Sequence, residues 1–390
     1  MNNVPPLDLS RQYALISQEV NAAVLEVLAS GRYIGGPAVE SFEQNFASYL
    51  GVSQCVGCNS GTDALFLALR ALNIGPLDEV ITTPFTFVAT AEVISAVGAT
   101  PVFVDIDADT FNLDLEKLEA AITSKTRAIL PVHLFGQPTD MTRLMAIASS
   151  HSLAVIEDCA QSSGAEWGGQ KVGSIGHVGC FSFFPTKNLG ACGDGGAVTT
   201  NDPAIAAAVR MLKEHGQSNR YYSEATGINS RLDALQATIL QIKLRYLNTW
   251  NTQRRAAADR YHQLLSHVPG ITLPQELPGG KGVWNQYTIR VKSQEKSPSS
   301  PPSPSPDLRD AVRNHLQESG VGSMIYYPLP LHLQPVYKSL GYQQGSFPVA
   351  EQACCEVLSL PIFPELSGEQ QDRVIYGLKD CLTRPSEILD

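Results

Sequence analysis

The sequence predicts an α/β protein with a large domain around a mainly parallel sheet and a smaller α+β domain at the C-terminal end. Short apolar runs alternate with helical patterns up to about residue 200, as they do in parallel βαβ units. A helical pattern then spans residues 230–265, and a less regular stretch follows it. The 390 residues, 43% hydrophobic and 17% charged, can bury more than one core and do not have the composition of a disordered chain.

The first region contains six predicted strands, at residues 52–57, 79–83, 101–105, 128–132, 154–158 and 178–184. The predicted helices between them occupy residues 62–72, 89–97, 115–122 and 141–151. In the first of these helices, Leu65, Leu69 and Leu72 recur at helical spacing, so this face is expected to pack against the sheet.

A predicted helix over residues 230–265 marks the boundary between the two domains. Its apolar residues recur every three or four positions, and Ser230 and Asp233 have the spacing of a capping box at its start. We place the boundary near the middle of this helix, which gives a large domain of residues 1–245 and a small domain of residues 246–390. Residues 297–306 consist only of Ser and Pro and are expected to form a solvated loop.

Charge and cysteine content narrow the class of protein. The 38 acidic and 28 basic residues give a net charge of −10, and the basic residues are scattered, so nucleic acid is not expected as a partner. We expect a cytoplasmic protein, because no apolar run is long enough to span a membrane and the first residues lack the order of a signal peptide. The eight cysteines are expected to be free thiols, and Cys55 and Cys58 lack the second pair that would complete a zinc site, so no metal is expected.

The first candidate site reads Asn-Ser-Gly-Thr-Asp-Ala-Leu at residues 59–65, where a strand gives way to a helix. Gly61 allows a tight turn, and the amides of Gly61 and Thr62 would face an anion at the helix N-terminus, together with the Thr62 hydroxyl. This pattern is typical of a phosphate site. The alternative is an ordinary helix cap formed by Ser or Thr.

The second candidate site is the acidic end of the strand at residues 154–158. Side chains alternate along a strand, so Glu157 and Asp158 lie on opposite faces and are poorly placed as a catalytic pair. Ligands of open α/β sheets bind at the carboxyl ends of the strands, where Asp158 can reach one. The alternative is an acid in a solvated loop.

The third candidate is Lys187, which follows an aromatic strand and precedes a glycine-rich turn. Apolar surroundings should lower the pKa of its amine and favour the neutral, nucleophilic form, although a surface lysine in a loop is the alternative. A phosphate site, a strand-end acid and a lysine in this order together indicate the cofactor pyridoxal 5'-phosphate (PLP).

Six motifs then follow one another in a recognisable order, at residues 31–37, 59–65, 84–90, 157–161, 182–187 and 227–231. Through them the chain resembles the sugar aminotransferases of the DegT/DnrJ/EryC1/StrS family over nearly its full length. The resemblance implies a PLP-dependent transferase of fold type I, similar to aspartate aminotransferase.

The resemblance also implies a role for each matching residue. Lys187 would hold PLP covalently and later shuttle a proton, and Asp158 would keep the pyridine nitrogen protonated. Phe87 would stack on the ring, and Gln161 would lie near the ring hydroxyl.

The same resemblance assigns the phosphate of PLP to Gly61, Thr62 and Ser182. Asn229 would reach this phosphate from the partner subunit. The active unit would therefore be a homodimer with shared active sites.

Within the family, the chain is most similar to enzymes that use L-glutamate to aminate the 3-keto group of UDP-2-acetamido-2-deoxy-3-oxo-glucuronate for cell-surface polysaccharides. Arg231, Tyr326 and Tyr327 would contact this nucleotide-linked ketosugar, and Arg231 could pair with a carboxylate. His332 is a candidate for the substrate entrance, and the alternative is a histidine packed among prolines and leucines. Tyr326 stands where that subfamily often has His, and residues 297–306 are an insertion relative to it. The alternatives are a dTDP-3-keto-6-deoxyhexose or 4-keto-sugar aminotransferase and, in another class, a catalytically silent sensory or regulatory protein.

Overall fold

A central seven-stranded sheet organises the first half of the chain in the computed structural model, which describes residues 3–292 and 307–383. The strands of this sheet and of three smaller sheets are β1 (Gln54–Cys58), β2 (Glu79–Thr82), β3 (Thr100–Phe103), β4 (Thr126–Ile129), β5 (Ala154–Asp158), β6 (Glu166–Trp167), β7 (Gln170–Lys171), β8 (Val178–Ser182), β9 (Gly196–Thr200), β10 (Gln217–Asn219), β11 (Tyr222–Ser223), β12 (Ile271–Thr272), β13 (Gly280–Lys281), β14 (Tyr287–Val291) and β15 (Val357–Leu360).

Helices cover the sheet and build much of the C-terminal part. They are α1 (Leu9–Ser30), α2 (Pro37–Leu50), α3 (Gly61–Ala71), α4 (Ala89–Ala96), α5 (Leu115–Leu118), α6 (Met141–Ser150), α7 (Pro203–Leu212), α8 (Ala234–Leu244), α9 (Leu247–Leu265), α10 (Asp307–Glu318), α11 (Pro348–Glu356) and α12 (Gly368–Thr383). The six strands and four helices predicted for the first region are all present, with ends that shift by a few residues, and α5 continues as a short 3₁₀ turn.

The strand order of the central sheet is β1-β9-β8-β5-β4-β2-β3. All its pairings are parallel except those of β9, which runs antiparallel to both β1 and β8. The sequence analysis missed β9, because its first residues read as part of a glycine-rich turn. Gly196 opens β9 and pairs with Cys58 on one side and Ser182 on the other, so this reversed strand brings the ends of β1 and β8 together.

The predicted helix over residues 230–265 is wrong in one respect, because the structure has two helices there, α8 and α9. They separate at Arg245 and Tyr246, and no glycine or proline marks this break in the sequence. The predicted capping box is also absent. Asp233 precedes α8 without a side-chain cap, and the Ser230 hydroxyl is hydrogen-bonded to Asn59 instead.

Both faces of the sheet are buried under helices. On one face Leu65 and Leu69 of α3 pack with Ile156, which confirms the predicted packing of this helix. On the other face Val155 packs with Met141 of α6, as strand alternation requires. A separate hydrophobic cluster joins Val4 with buried apolar residues of the described segments between Ala257 and Leu382. The division into domains at residue 245 stays a prediction.

Glu157 ties a long loop to the sheet from the face opposite Asp158. Its carboxylate is fully buried and accepts hydrogen bonds from the backbone N–H groups of Gly173, Ile175 and Gly176 at 2.8, 2.9 and 2.6 Å. The fourth bond, at 3.0 Å, comes from Nε2 of His133. A buried carboxylate is stable in this setting because donors surround it.

We expect Glu157→Ala to lower the free energy of unfolding by about 3–5 kcal/mol, because it leaves buried donors without an acceptor. Denaturant unfolding of the purified protein measures this loss. The matched control is Glu119→Ala, which removes an exposed carboxylate 3.5 Å from His151 and should change the free energy by less than about 1 kcal/mol. Equal losses in the two variants would contradict the assigned role.

Candidate active site

The N-terminus of α3 forms the first wall of the site. Ser60 caps this helix by accepting a hydrogen bond from the N–H of Asp63 at 3.1 Å. The amides of Gly61 and Thr62, in the first turn, have no acceptor within the helix. A Cβ on Gly61 would lie 2.6 Å from Cβ of Ser182, so only glycine allows the helix to begin this close to the end of β8. The cap is therefore present, and a phosphate site at the amides of Gly61 and Thr62 stays a prediction.

Asp158 lies at the carboxyl end of β5 and is 4% exposed. One carboxylate oxygen accepts from the Thr90 hydroxyl at 2.9 Å, and the other accepts from the N–H of Ala160 at 3.1 Å. Burial raises the pKa of Asp158, while these hydrogen bonds and the charge of Lys187 oppose the rise. The site therefore presents a buried carboxyl group that gains most from pairing with a cation.

Lys187 lies half-buried in the loop that follows β8, and its backbone N–H donates to the carbonyl of Phe184 at 2.9 Å. Burial lowers the pKa of its amine to about 8, and the negative charge of Asp158 opposes this shift. About a quarter of such an amine is neutral at pH 7.5, compared with about a thousandth for an ordinary lysine. The structure therefore places a nucleophilic amine within the electrostatic reach of Asp158.

The aromatic residues Tyr327 and Phe87 lie next to Asp158 and Lys187. The amide of Gln161 accepts from the N–H of Phe135 at 2.6 Å and donates to the hydroxyl of Tyr327 at 3.3 Å. The ring of Tyr327 lies 6.4 Å from that of Phe87, which is 57% exposed and leaves a ring face open. Burial, with a smaller contribution from the charge of Asp158, raises the pKa of Tyr327.

Sequence reasoning missed Thr90. This residue lies within a motif that it shares with Phe87, but no pattern showed that its hydroxyl would donate to Asp158, which is distant along the chain. The hydroxyls of Thr90 and Thr86 are also 3.0 Å apart, so the carboxylate is supported by a short chain of buried hydroxyl groups.

Two of the predicted substrate contacts, Arg231 and Tyr326, lie outside the helices and strands. Arg231 is half-buried, and its Nη1 lies 3.4 Å from the carboxylate of Glu214. Tyr326 is half-buried, with its ring 5.8 Å from that of Tyr327. Asn229 is exposed, and it forms a backbone bridge with Glu214.

For His332 the structure shows the packed alternative and not a place at the substrate entrance. It is 1% exposed, its Nε2 is hydrogen-bonded to Glu351 at 3.0 Å, and its ring packs 4.8 Å from that of Phe347. Burial lowers its pKa. A histidine among prolines and leucines is packed inside the protein here, so its position does not match a role at the substrate entrance.

One buried group has the composition of a metal site, namely His133, Glu157 and Cys159. Hydrogen bonds already use the ligand atoms of His133 and Glu157, because Nδ1 of His133 accepts from Thr139 N–H at 3.0 Å and Nε2 faces Glu157. Within the described part of the chain no other such group occurs. All eight cysteines are free, as predicted.

Comparison with known proteins decides the family. The model of the DegT/DnrJ/EryC1/StrS aminotransferase family matches residues 14–379. The chain belongs to this family. The resemblance that the six motifs indicated is thus confirmed.

Curated members of the family carry different functional names. The chain is 48% identical to a pleiotropic regulatory protein of Geobacillus stearothermophilus, with 97% of this chain and 98% of the relative covered. It is 44% identical to the dTDP-3-amino-3,4,6-trideoxy-alpha-D-glucose transaminase of Streptomyces venezuelae (98% and 97% covered). It is 42% identical to the UDP-2-acetamido-2-deoxy-3-oxo-D-glucuronate aminotransferase of Pseudomonas aeruginosa (92% and 95% covered).

Solved structures of the family have the same fold. The structure of DesV from S. venezuelae in complex with a ketimine intermediate superposes with a TM-score of 0.93 at 44% identity, covering 98% of this chain and 100% of that one. NtdA of Bacillus subtilis, with the cofactor PMP bound, gives a TM-score of 0.89 at 33% identity (98% and 86% covered). These similarities confirm the predicted fold type I of PLP-dependent transferases. Among the helices that the structure describes, none has the length and apolar character of a membrane span.

The residues of the site fit the cofactor of this family. Unpaired helix amides and the half-buried Ser182 offer donors for a phosphate, and the open face of Phe87 can stack on a flat ring. Lys187 supplies an amine of lowered pKa, and Asp158 supplies a buried carboxyl group for a protonated ring nitrogen. The donor set therefore matches PLP in phosphate, ring, aldehyde and ring nitrogen.

We expect the cofactor-free protein to acetylate at Lys187 with a pH midpoint near 8 instead of the ordinary 10.5, because only the neutral amine reacts and burial lowers its pKa. Trace labelling with acetic anhydride and peptide mass spectrometry measure the midpoint. In Asp158→Asn the midpoint should fall further, since the opposing charge is lost. A midpoint near 10.5 would show that the amine lies in solvent.

Proposed function

We propose that the protein transfers an amino group from L-glutamate to the 3-keto group of a nucleotide-linked sugar, with PLP as cofactor. The observation that carries this proposal is the combination of Lys187, whose amine has a lowered pKa, and the buried Asp158 next to it. Membership of an aminotransferase family supports it. Phosphate-binding amides at the start of α3 complete the arrangement.

Each residue of the site has a distinct task in this reaction. When bound, PLP supplies an electron sink that allows the Cα–H bond of the amino donor to break. Asp158 holds the proton on the ring nitrogen, and Thr90 and the Ala160 amide keep the carboxylate oriented. Lys187 would accept the proton from Cα on its neutral Nζ and would deliver it to the cofactor carbon that takes up the amino group.

For the sugar, we propose UDP-2-acetamido-2-deoxy-3-oxo-glucuronate, destined for a cell-surface polysaccharide. A relative named for this substrate is 42% identical to the chain over nearly its whole length. Arg231 is half-buried and offers a planar guanidinium for the uronate carboxylate, and Tyr326 is half-buried beside Tyr327.

A dTDP-linked 3-keto-6-deoxyhexose is the second candidate. A relative at 44% identity is named for a dTDP-3-amino sugar. Glu214 also lies 3.4 Å from Arg231, so the guanidinium already faces a carboxylate and has less need of a second one. A relative named as a regulatory protein, at 48% identity, supports the third candidate, a silent regulatory role.

We further propose that the active unit is a homodimer. Four aromatic side chains are exposed, Phe87 and Phe184 near the site and Tyr221 and Tyr222 on the hairpin of β10 and β11. Their exposed fractions are 57%, 49%, 80% and 75%. Exposed aromatic groups of this size are typical of an interface. The exposed Asn229, just beyond this hairpin, would reach the phosphate site of the partner.

A substrate panel tests the function. Purified protein with PLP and L-glutamate is offered UDP-2-acetamido-2-deoxy-3-oxo-glucuronate, the same sugar without the carboxylate, and a dTDP-3-keto-6-deoxyhexose, and products are identified by mass. We expect amination at C3, fastest with the glucuronate. Preference for the dTDP sugar would favour the second candidate, and absence of any product, with no bleaching of the visible band by glutamate, would favour the regulatory one.

We expect Asp158→Asn to lower the turnover number by about two to three orders of magnitude, because an amide cannot hold the positive charge on the ring nitrogen. Steady-state kinetics with the best sugar of the panel measure the loss. Asp140→Asn is the matched control, since Asp140 caps α6 and asparagine caps a helix equally well. A near-normal rate in Asp158→Asn would mean that this carboxylate is only structural.

A further inference from the structure

Asn188 directly follows Lys187 and is 4% exposed. Its Nδ2 donates to Oδ1 of Asn251 at 2.8 Å and to the carbonyl of Val283 at 2.9 Å. Its Oδ1 accepts from Nδ2 of Asn285 at 2.8 Å. One side chain thereby ties the Lys187 loop to α9 and to the segment that precedes β14.

The same network reaches the loop that follows Asp158 at the end of β5 and carries Gln161. Nδ2 of Asn251 donates to the carbonyl of Ser163 at 3.0 Å, and Ser163 lies two residues beyond Gln161. The loops after β5 and β8 are therefore joined through Asn188 and Asn251, in addition to the strand pairing of β5 with β8.

This connection bears on the position of the Lys187 amine. A lysine side chain has four rotatable bonds, so the fixed reference for its amine is the backbone from which it extends. Adjacent Cα atoms are about 3.8 Å apart, and the three hydrogen bonds of Asn188 therefore restrain the base of Lys187 as well.

The network is made of side-chain amides and backbone carbonyls, all of them uncharged. Replacing Asn188 or Asn251 by alanine changes no charge near Lys187 or Asp158. Any change in the behaviour of the amine would therefore come from its position or from its exposure to water.

We propose that Asn188 is a positioning residue for the transamination, and that its bonds to Asn251 and Asn285 hold the backbone of Lys187 where the amine can reach the Cα proton of the amino donor. The inference deepens the proposed function and rests on it. Displacements of about 1 Å can cost a reaction about a hundredfold in rate, so a buried restraint next to the reacting amine has a direct kinetic effect.

The test uses the holoenzyme and its variants Asn188→Ala and Asn251→Ala. Borohydride trapping with peptide mapping locates the cofactor, and stopped-flow bleaching by glutamate across pH gives the rate and its midpoint. We expect the label on Lys187 in each protein, a rate at saturating glutamate that falls about ten- to a hundredfold, a shifted pH midpoint, and a glutamate KM within about threefold of the wild-type value.

Asn248→Ala is the matched control, because Asn248 also lies on α9 but is exposed and accepts a hydrogen bond from Tyr49. It should keep the wild-type rate and midpoint. If Asn188→Ala does not fold, Asn251→Ala decides by the same criteria.

Two results would overturn the inference, and they are distinguishable. A labelled Lys187 with wild-type rate and midpoint in the variants, even at a lowered unfolding temperature, would assign the network to stability alone and leave the proposed function intact. A wild-type enzyme without label on Lys187 would remove the proposed function and this inference with it.

Discussion

The site depends on an amine and a carboxyl group that share one water-poor pocket. Burial disfavours the charged form of each, and it raises the pKa of Asp158 while it lowers that of Lys187. Their mutual attraction acts in the opposite direction on both. Hydrogen bonds from Thr90 and from the Ala160 amide favour the charged carboxylate, whereas the Lys187 amine keeps its lowered pKa.

Topology brings these groups to the helix N-terminus that we propose as the phosphate site. Asp158 ends a parallel strand, and its side chain therefore reaches the edge of the sheet where ligands of α/β proteins bind. The reversed strand β9 is what places α3 beside Ser182, because Gly196 pairs with the last residues of both β1 and β8. A Cβ at Gly196 would overlap the carbonyl of Ser60, so glycine is required at this junction.

Local patterns predicted the parts of the fold and site that depend on neighbours in sequence. Strand alternation placed Glu157 and Asp158 on opposite faces, and the aromatic strand before Lys187 indicated an amine of lowered pKa, as found. The Thr90 bond to Asp158 joins distant segments, and no local signal reveals it. The break between α8 and α9 also lacked a signal, because the apolar spacing continues through it.

The distribution of these residues separates cofactor chemistry from substrate choice. Four of the residues proposed for PLP have a backbone fixed by the sheet and its first helix, because Gly61 and Thr62 begin α3 while Asp158 and Ser182 end strands. Arg231 and Tyr326, proposed for the sugar, are half-buried on connecting segments. Connecting segments tolerate change better than a buried sheet edge. A chain of this kind can therefore keep one amine, one carboxyl group and one phosphate site while the surrounding loops change which ketosugar is bound, and specificity has to be sought in Arg231, Glu214 and their neighbours.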